Sequence, residues 1–132
     1  MEIERFDPNG LAARPFYHHV VRSTATTTVH ISGQVGLDSD GNVVGGEDFA
    51  AHIRQAYSNL DTALAAASVT RDQVVKVTTF VVDYDHETKW PHVKEVHSAF
   101  FSEVMPAWTV IGVEALARPD LLIEVEATAV SD

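Results

Sequence analysis

Apolar residues follow two different periods along this chain, and the change of period separates strands from helices. Residues 16–22 and 26–32 are short and rich in β-branched and aromatic residues, which is typical of strands. Residues 74–83 are β-branched and apolar almost throughout, so we expect a largely buried strand there. Residues 108–116 and 121–130 are extended too, and apolar residues fill every second position of the last stretch. The pattern therefore predicts five strands.

Two segments instead repeat apolar residues at intervals of three and four, the spacing of one helical face. The first helix starts near Asp48, and its apolar positions are Phe49, Ile53, Ala56, Tyr57, Leu60 and Leu64. Glu47 and Asp48 lie in the expected first turn, where carboxylates complement the helix dipole. The second helix has Pro91 in its first turn, and its apolar positions are Val93, Val96, Phe100 and Val104.

The predicted order is strand, strand, helix, strand, helix, strand, strand. Two helices cannot cover both faces of so wide a sheet, so we expect them to pack on one face of an α+β fold. We assign residues 1–132 to a single domain, because no linker, repeat or low-complexity tract divides them. The opposite face then needs a cover. Self-association is the simplest one, and a closed ring is one route to it.

Composition removes several classes of function. Nine basic residues against nineteen acidic ones give a net charge of −10, with no run of Lys or Arg, so nucleic-acid binding is not expected. The absence of cysteine excludes disulfides, thiolate metal sites and cysteine nucleophiles. No segment has the roughly 20 apolar residues that cross a bilayer, and no secretory signal opens the chain. We expect a soluble cytoplasmic protein that does not bind membranes.

The seven histidines do not predict a metal site. His18 and His19 are adjacent on a predicted strand and would point to opposite faces. His92 and His97 are five residues apart, which separates them around a helix, whereas catalytic zinc needs three convergent ligands. We interpret the histidines mostly as surface or hydrogen-bonding residues.

Three residues offer other chemistry, and each has two interpretations. Ser32 and Gly33 stand at the end of a predicted strand. In one interpretation, Ser32 ends the strand and Gly33 lets the backbone turn. In the other, Gly33 leaves its backbone groups open to a ligand. No Gly-x-Ser-x-Gly elbow supports a serine nucleophile. Glu124 interrupts an apolar strand and also has two interpretations. Either it transfers protons beside an interface, or it lines a solvated face of the sheet together with Glu126.

Several segments together resemble the RidA/YjgF family, which includes proteins named endoribonuclease L-PSP, over nearly the whole chain. The resemblance is carried by residues 31–36 (Ile-Ser-Gly-Gln-Val-Gly), 53–60, 74–80, 99–101, 105–107 and 123–129. It implies a chorismate-mutase-like fold with a mixed sheet, assembled as a homotrimer with ligand pockets between subunits. It also implies hydrolysis of reactive imines and enamines to a keto acid and ammonia, with no cofactor.

The family's site residues carry over in part. By resemblance, Tyr17, Ser32, Gly33 and Glu124 match the pocket, with Glu124 helping to activate water. The arginine that grips the substrate carboxylate in this family is replaced by Trp108, which cannot form a bidentate charge-assisted contact. Trp108 is then either a stacking surface for an apolar ligand or an interface anchor. Lys94 occupies the position of a helix-borne asparagine.

A hairpin between the last two strands offers a check on this site. If Leu116 pairs with Leu121, Glu124 lies opposite Val113, and Trp108 is on the order of 16 Å further along its strand. One chain would then not place both residues in one small pocket, so a shared site favours contributions from two subunits.

We therefore expect a small-molecule site at a subunit interface that hydrolyses an imine, enamine or related amine-bearing substrate. Glu124 and Tyr17 are the candidate catalytic residues. Ser32, Gly33, Trp108 and Lys94 are the candidate substrate-binding residues. The alternative is a ligand-binding or regulatory trimer without turnover.

Overall fold

The computed structural model describes the whole chain, residues 1–132, and contains six strands and two α-helices. In chain order they are β1 (Ile3–Phe6), β2 (Val20–Ser23), β3 (Thr27–Val35), α1 (Phe49–Ala66), β4 (Val74–Val82), α2 (Trp90–Phe101), β5 (Ala107–Val113) and β6 (Ile123–Ser131). A 3-10 turn, Arg71–Gln73, leads into β4.

The strands form one large sheet and one small ribbon. The four-stranded sheet has the order β3-β6-β4-β5, in which β4 and β5 are parallel and the other two pairs are antiparallel. The ribbon pairs β1 with β2. The parallel pair is possible because α2 carries the chain back between β4 and β5, as a parallel connection requires.

Both helices cover the same face of the large sheet. α1 packs on β3, β6 and α2, and α2 stacks its His97 ring on Trp108 of β5. Asp48 is the N-cap of α1, where its side chain accepts a hydrogen bond from the Ala50 backbone N–H. Pro91 lies in the first turn of α2, as expected. The predicted α+β fold with two helices on one face is therefore confirmed.

Three predicted details were wrong. The first predicted strand shrinks to β2, because residues 15 and 16 form a turn, and the short strand β1 was missed. The predicted hairpin between the last two strands does not form. Instead β6 inserts between β3 and β4, so β4 separates β6 from β5. Periodicity identifies a strand but not its neighbours, since pairing depends on the whole fold. Neither α-helix combines the length and the apolar composition that a membrane span requires.

Candidate functional site

The sheet face without helices, here called the open face, is lined by polar side chains. Glu124 and Glu126 of β6 project there, beside Phe80 and Thr78 of β4, because the alternate residues of β6 are buried under the helices. Glu124 is half-buried and takes part in none of the chain's five ion pairs. The polar residues around a depression of about 260 Å³ on this face are His30, Ser32, Lys76, Thr78, Glu126 and Thr128.

Gly33 lies directly against the Glu124 side chain. The β3–β6 register shifts between Ile31 and Gln34, which takes Gly33 out of the regular ladder. A Cβ at position 33 would overlap the Glu124 carboxyl group, so glycine is what allows the carboxylate to approach the β3 backbone. β3 continues to Val35, and the interpretation that Ser32 ends a strand was therefore wrong. Ser32, Gly33 and Glu124 lie side by side on the open face.

Trp108 lies on the opposite, helix-covered face. Its indole stacks on His97 with ring centroids 3.6 Å and planes 5° apart, and its Nε1 donates a 3.0 Å hydrogen bond to Thr79 Oγ1. Only 9% of Trp108 is exposed. The indole therefore belongs to the core of this chain, an arrangement that neither predicted role of Trp108 included.

His97 is a buried residue that sequence reasoning missed. The Tyr57 hydroxyl lies 2.8 Å from its Nδ1, and its Nε2 has no hydrogen-bond partner. Burial lowers the pKa of His97 to about 3, because the charged imidazolium would lose its hydration. The nearby backbone of Phe16 raises the pKa by a smaller amount. The imidazole is therefore neutral at pH 7. The signal was available, because His97 follows Val93 by four residues on the apolar stripe of α2.

The histidines agree with their interpretation as surface or hydrogen-bonding residues. His52 and His97 are fully buried, and each makes a hydrogen bond, His52 to the Gly46 carbonyl and His97 to Tyr57. His18 and His19 lie outside any strand, where His18 Nδ1 is 3.1 Å from Asp7 Oδ2. No group of three or more His, Asp or Glu side chains is placed to hold a metal ion.

Tyr17 belongs to a tight turn formed by residues 14–17. A β-bridge between Arg14 and Tyr17 closes the turn, and Pro15 occupies the second position, which its fixed φ favours. The turn places Phe16 at its tip. Tyr17 is half-buried, and its ring lies 5.6 Å from that of Phe16.

A groove separates this turn from α2, and Lys94 lies on its α2 side. The groove, here called the Phe16 groove, has a volume of about 590 Å³ and is lined by Pro15, Phe16, Lys94, Glu95, Ser98, Ser102 and Met105. The Phe16 ring packs edge-on against Trp90 at 5.3 Å and against Trp108 at 6.3 Å. Trp108 therefore supports the groove from beneath without lining it.

The candidate residues thus fall into two groups. Ser32, Gly33 and Glu124 lie on the open face, whereas Tyr17, Lys94 and Trp108 surround Phe16 on the other side of the sheet. In the strand register, Glu124 pairs with Phe80 of β4, which pairs with Ile111 of β5. Trp108 therefore lies two strands across the sheet and three residues along β5 from the level of Glu124, about 10 Å in each direction. One chain does not bring the two groups into a single pocket.

Comparisons with known proteins place this chain in a family. The family model described as endoribonuclease L-PSP matches residues 8–131. The RutC family protein YjgH of Escherichia coli is 36% identical over 118 residues, which cover 89% of this chain and 86% of that protein. The mouse protein named 2-iminobutanoate/2-iminopropanoate deaminase is 38% identical over 104 residues, or 78% and 73% of the two chains.

Solved structures agree with this assignment. The Rid family protein YyfB of Yersinia pestis, described as a protein of unknown function, superimposes with a TM-score of 0.91 at 34% identity, over 98% of this chain and 99% of that one. The fold of this chain thus has counterparts among solved structures. The chain belongs to the RidA/YjgF family, whose family model carries the description endoribonuclease L-PSP.

Proposed function

We propose that this protein hydrolyses an imine, enamine or related amine-bearing substrate, without a cofactor, in a cleft between the subunits of a homotrimer. Glu124 activates the attacking water, and Tyr17 donates a hydrogen bond to the substrate. Ser32 and Gly33 hold the polar end of the substrate, and Lys94 and Trp108 shape the pocket. The reaction class is supported by relatives from mouse and human that are named 2-iminobutanoate/2-iminopropanoate deaminase.

The observation that carries this proposal is the contact between Gly33 and Glu124. It sets a half-buried carboxylate, free of any ion pair, against a strand backbone that no side chain covers. A general base needs to reach the water that it deprotonates, and such a carboxylate meets this condition. The water oxygen adds to the carbon of the C=N bond, and its proton passes through Glu124 to the nitrogen. The hydroxyl proton of this adduct then passes through Glu124 to the nitrogen as the C–N bond breaks, which leaves a carbonyl compound and ammonia.

The trimer is supported by the separation of the two residue groups. The open face has no cover within the chain, and it exposes Ile111, which is 40% accessible beside the polar residues. A second copy packed there would bring its own Tyr17 and Lys94 toward the first copy's Glu124. The site would then be complete only in the assembly, in the way that symmetric interfaces allow.

One observation favours the alternative of a trimer that binds a ligand without turnover. Trp108, which by resemblance takes the position of the family's arginine, has its indole stacked on His97 and bonded to Thr79. No guanidinium at this position can grip a carboxylate, and substrate positioning is a large part of catalysis.

Ammonia release with a Glu124→Gln variant tests the proposal. The imine is generated in the reaction mixture by an amino-acid oxidase, and ammonia is measured with and without this protein. We expect the wild type to accelerate ammonia release and Glu124→Gln to lower that rate at least about 100-fold, since proton transfer by a placed group contributes this much.

The matched control is Glu126→Gln, an exposed carboxylate two residues along the same strand and face. It removes the same charge and should change the rate less than about twofold, a change that is small on the scale of general-base effects. An equal loss in both variants, or no loss in Glu124→Gln, would contradict the role of Glu124. No acceleration by the wild type would instead favour the non-catalytic alternative.

A further inference from the structure

The loop that carries Tyr17 is exposed over most of its length. Residues 7–19 connect β1 to β2, and the strand pair nearest to the loop is Phe6 with Val20. Residues 9–15 of the loop are all exposed. An exposed segment buries little apolar surface, so packing alone does not hold it in one conformation. The position of Tyr17 therefore depends on the contacts at the base of the loop.

The Asp7 carboxylate joins the two ends of this loop. Its Oδ1 accepts a 2.8 Å hydrogen bond from the His19 backbone N–H, and its Oδ2 lies 3.1 Å from His18 Nδ1. The bond from the His19 N–H, followed by that from the His18 ring, lowers the pKa of Asp7 against the opposing effect of burial. An ionised carboxylate only accepts hydrogen bonds, so we assign the ring proton of His18 to Nδ1.

Further contacts connect these bonds to Tyr17. The His19 ring lies edge-on to the Tyr17 ring, with centroids 5.2 Å apart, and His19 Nε2 is 2.7 Å from the Ala12 carbonyl oxygen. The His18 backbone N–H donates a 3.1 Å hydrogen bond to the carbonyl of Pro106, directly before β5. A displacement of His18 and His19 would therefore move Tyr17, which immediately precedes them in the chain.

A second aspartate makes bonds of the same type in a loop without candidate site residues. Asp38 Oδ1 accepts 2.9 Å hydrogen bonds from the backbone N–H groups of Asp40 and Asn42, between β3 and α1. Replacing Asp38 removes the same charge as replacing Asp7, and it also removes two accepted hydrogen bonds. Asp38 is therefore a matched control for Asp7.

We propose that Asp7 is a positioning residue, which holds His18 and His19 in place and thereby fixes the Tyr17 hydroxyl for the substrate. This inference rests on the proposed function, in which Tyr17 donates a hydrogen bond to the substrate. Asp7 itself does not contact the substrate. A Tyr17 that is not held in place has to be ordered in each turnover, and a displacement of about 1 Å at a reacting site can lower a rate about 100-fold.

A double-mutant cycle on ammonia release tests the action of Asp7 through Tyr17. Asp7→Leu has a similar size but accepts no hydrogen bond, and it should lower kcat/KM at least about tenfold. In a Tyr17→Phe background the same substitution should change kcat/KM less than about twofold, because effects that act through one group are not additive.

Two further variants separate positioning from a general effect of the substitution. Asp7→Asn keeps an acceptor for the His19 N–H, and its amide N–H can donate to His18 Nδ1 in the other ring tautomer, so kcat/KM should stay within about threefold of the wild type. Asp38→Leu should change it less than about twofold, since surface changes away from the site have small effects. An equal loss from Asp7→Leu in both backgrounds, or an equal loss in Asp38→Leu, overturns the proposal.

Nuclear magnetic resonance of the whole protein supplies a measurement that does not need turnover. In Asp7→Leu the His19 amide should exchange with solvent at least about tenfold faster, the amount expected for a hydrogen bond to a charged group. The cross-peak between the Tyr17 and His19 rings should weaken in the same variant. Neither change is expected in Asp7→Asn or in Asp38→Leu.

The two proposals fail separately. Unchanged amide exchange and an intact contact between the Tyr17 and His19 rings in Asp7→Leu would overturn the role of Asp7, whatever the rate of ammonia release. A wild type that releases no ammonia, with a His19 amide that Asp7 protects, would remove the hydrolytic function and keep the hold of Asp7 on Tyr17.

Discussion

The two faces of the four-stranded sheet are built from alternate residues of the same strands. Polar side chains find partners within the chain on one face, whereas on the other face a carboxylate remains without an ion-pair partner. On the covered face, Trp108, Thr79, His97 and Tyr57 bond or stack with one another inside one chain. On the open face, Glu124 has no ion-pair partner in its own chain. Buried polar groups need partners. Apart from His97 Nε2, the first set finds its partners within the chain, whereas the second is left for water, a ligand or another copy.

This contrast separates stability from function along a single strand. Trp108 and Ile111 both lie on β5, three residues apart, and they face opposite sides of the sheet. Trp108 is sealed into the core, while Ile111 is 40% exposed. Changes on the covered face should therefore alter folding first. Changes on the open face should alter association or turnover first.

The largest expected effect is on the covered face. Trp108→Ala removes a buried ring, its stack with His97 and its bond to Thr79, so we expect the free energy of unfolding to fall by about 3–5 kcal/mol. Urea denaturation at a fixed protein concentration measures this value. Thr109→Ala, the exposed neighbour on β5, should cost less than about 1 kcal/mol. Equal losses in both variants would contradict the division between the faces.

The second prediction concerns acid stability. His97 has a pKa of about 3 in the folded protein, below its usual 6.5. As the pH falls from 6.5 toward 3, the unfolded chain binds a proton that the folded chain does not, so stability declines by about 1.4 kcal/mol per pH unit. His97→Phe should flatten the pH dependence of unfolding by this amount. The exposed His92→Gln should not, and an unchanged slope in His97→Phe would show that His97 is protonated in the folded state.

A third prediction addresses the cover of the open face. Ile111→Asp should weaken self-association at least about 100-fold, because an unpaired charge is costly in an interface, and it should leave the circular dichroism spectrum of the fold intact. Sedimentation measures the assembly. Thr62→Asp, which adds the same charge on the exposed surface of α1, should leave association unchanged. A stable assembly in Ile111→Asp would place the interface elsewhere.

The smallest expected change in stability is at Gly33. The overlap in Gly33→Ala is with the flexible end of Glu124, so the free energy of unfolding should fall by only about 1 kcal/mol. Turnover should fall at least about tenfold, since the carboxylate is pushed away from its position. Thr28→Ala, an exposed change on the same strand, is the control for both measurements. Full activity in Gly33→Ala would show that catalysis does not depend on the close approach of Glu124 to the β3 backbone.

Local patterns predicted much of the fold. The three- and four-residue spacing gave α1 and α2, and the β-branched segment gave β4 within one residue of its observed end. The alternation in β6 correctly put Glu124 and Glu126 on the face opposite Ile123 and Val125. These features are local, because a side chain's face depends only on its backbone period. The motifs around Gly33 and Glu124 that resemble the RidA/YjgF family could also be identified from the single sequence.

Strand neighbours and the environment of Trp108 were decided only by the tertiary structure. Nothing within β6 says that it lies between β3 and β4, because strand order depends on contacts between residues far apart in the chain. For the same reason, the presence of a tryptophan at position 108 was visible in the sequence, but its burial against His97 was not. The sequence determined which chemical groups the protein carries, and the packing of distant segments decided which of them meet.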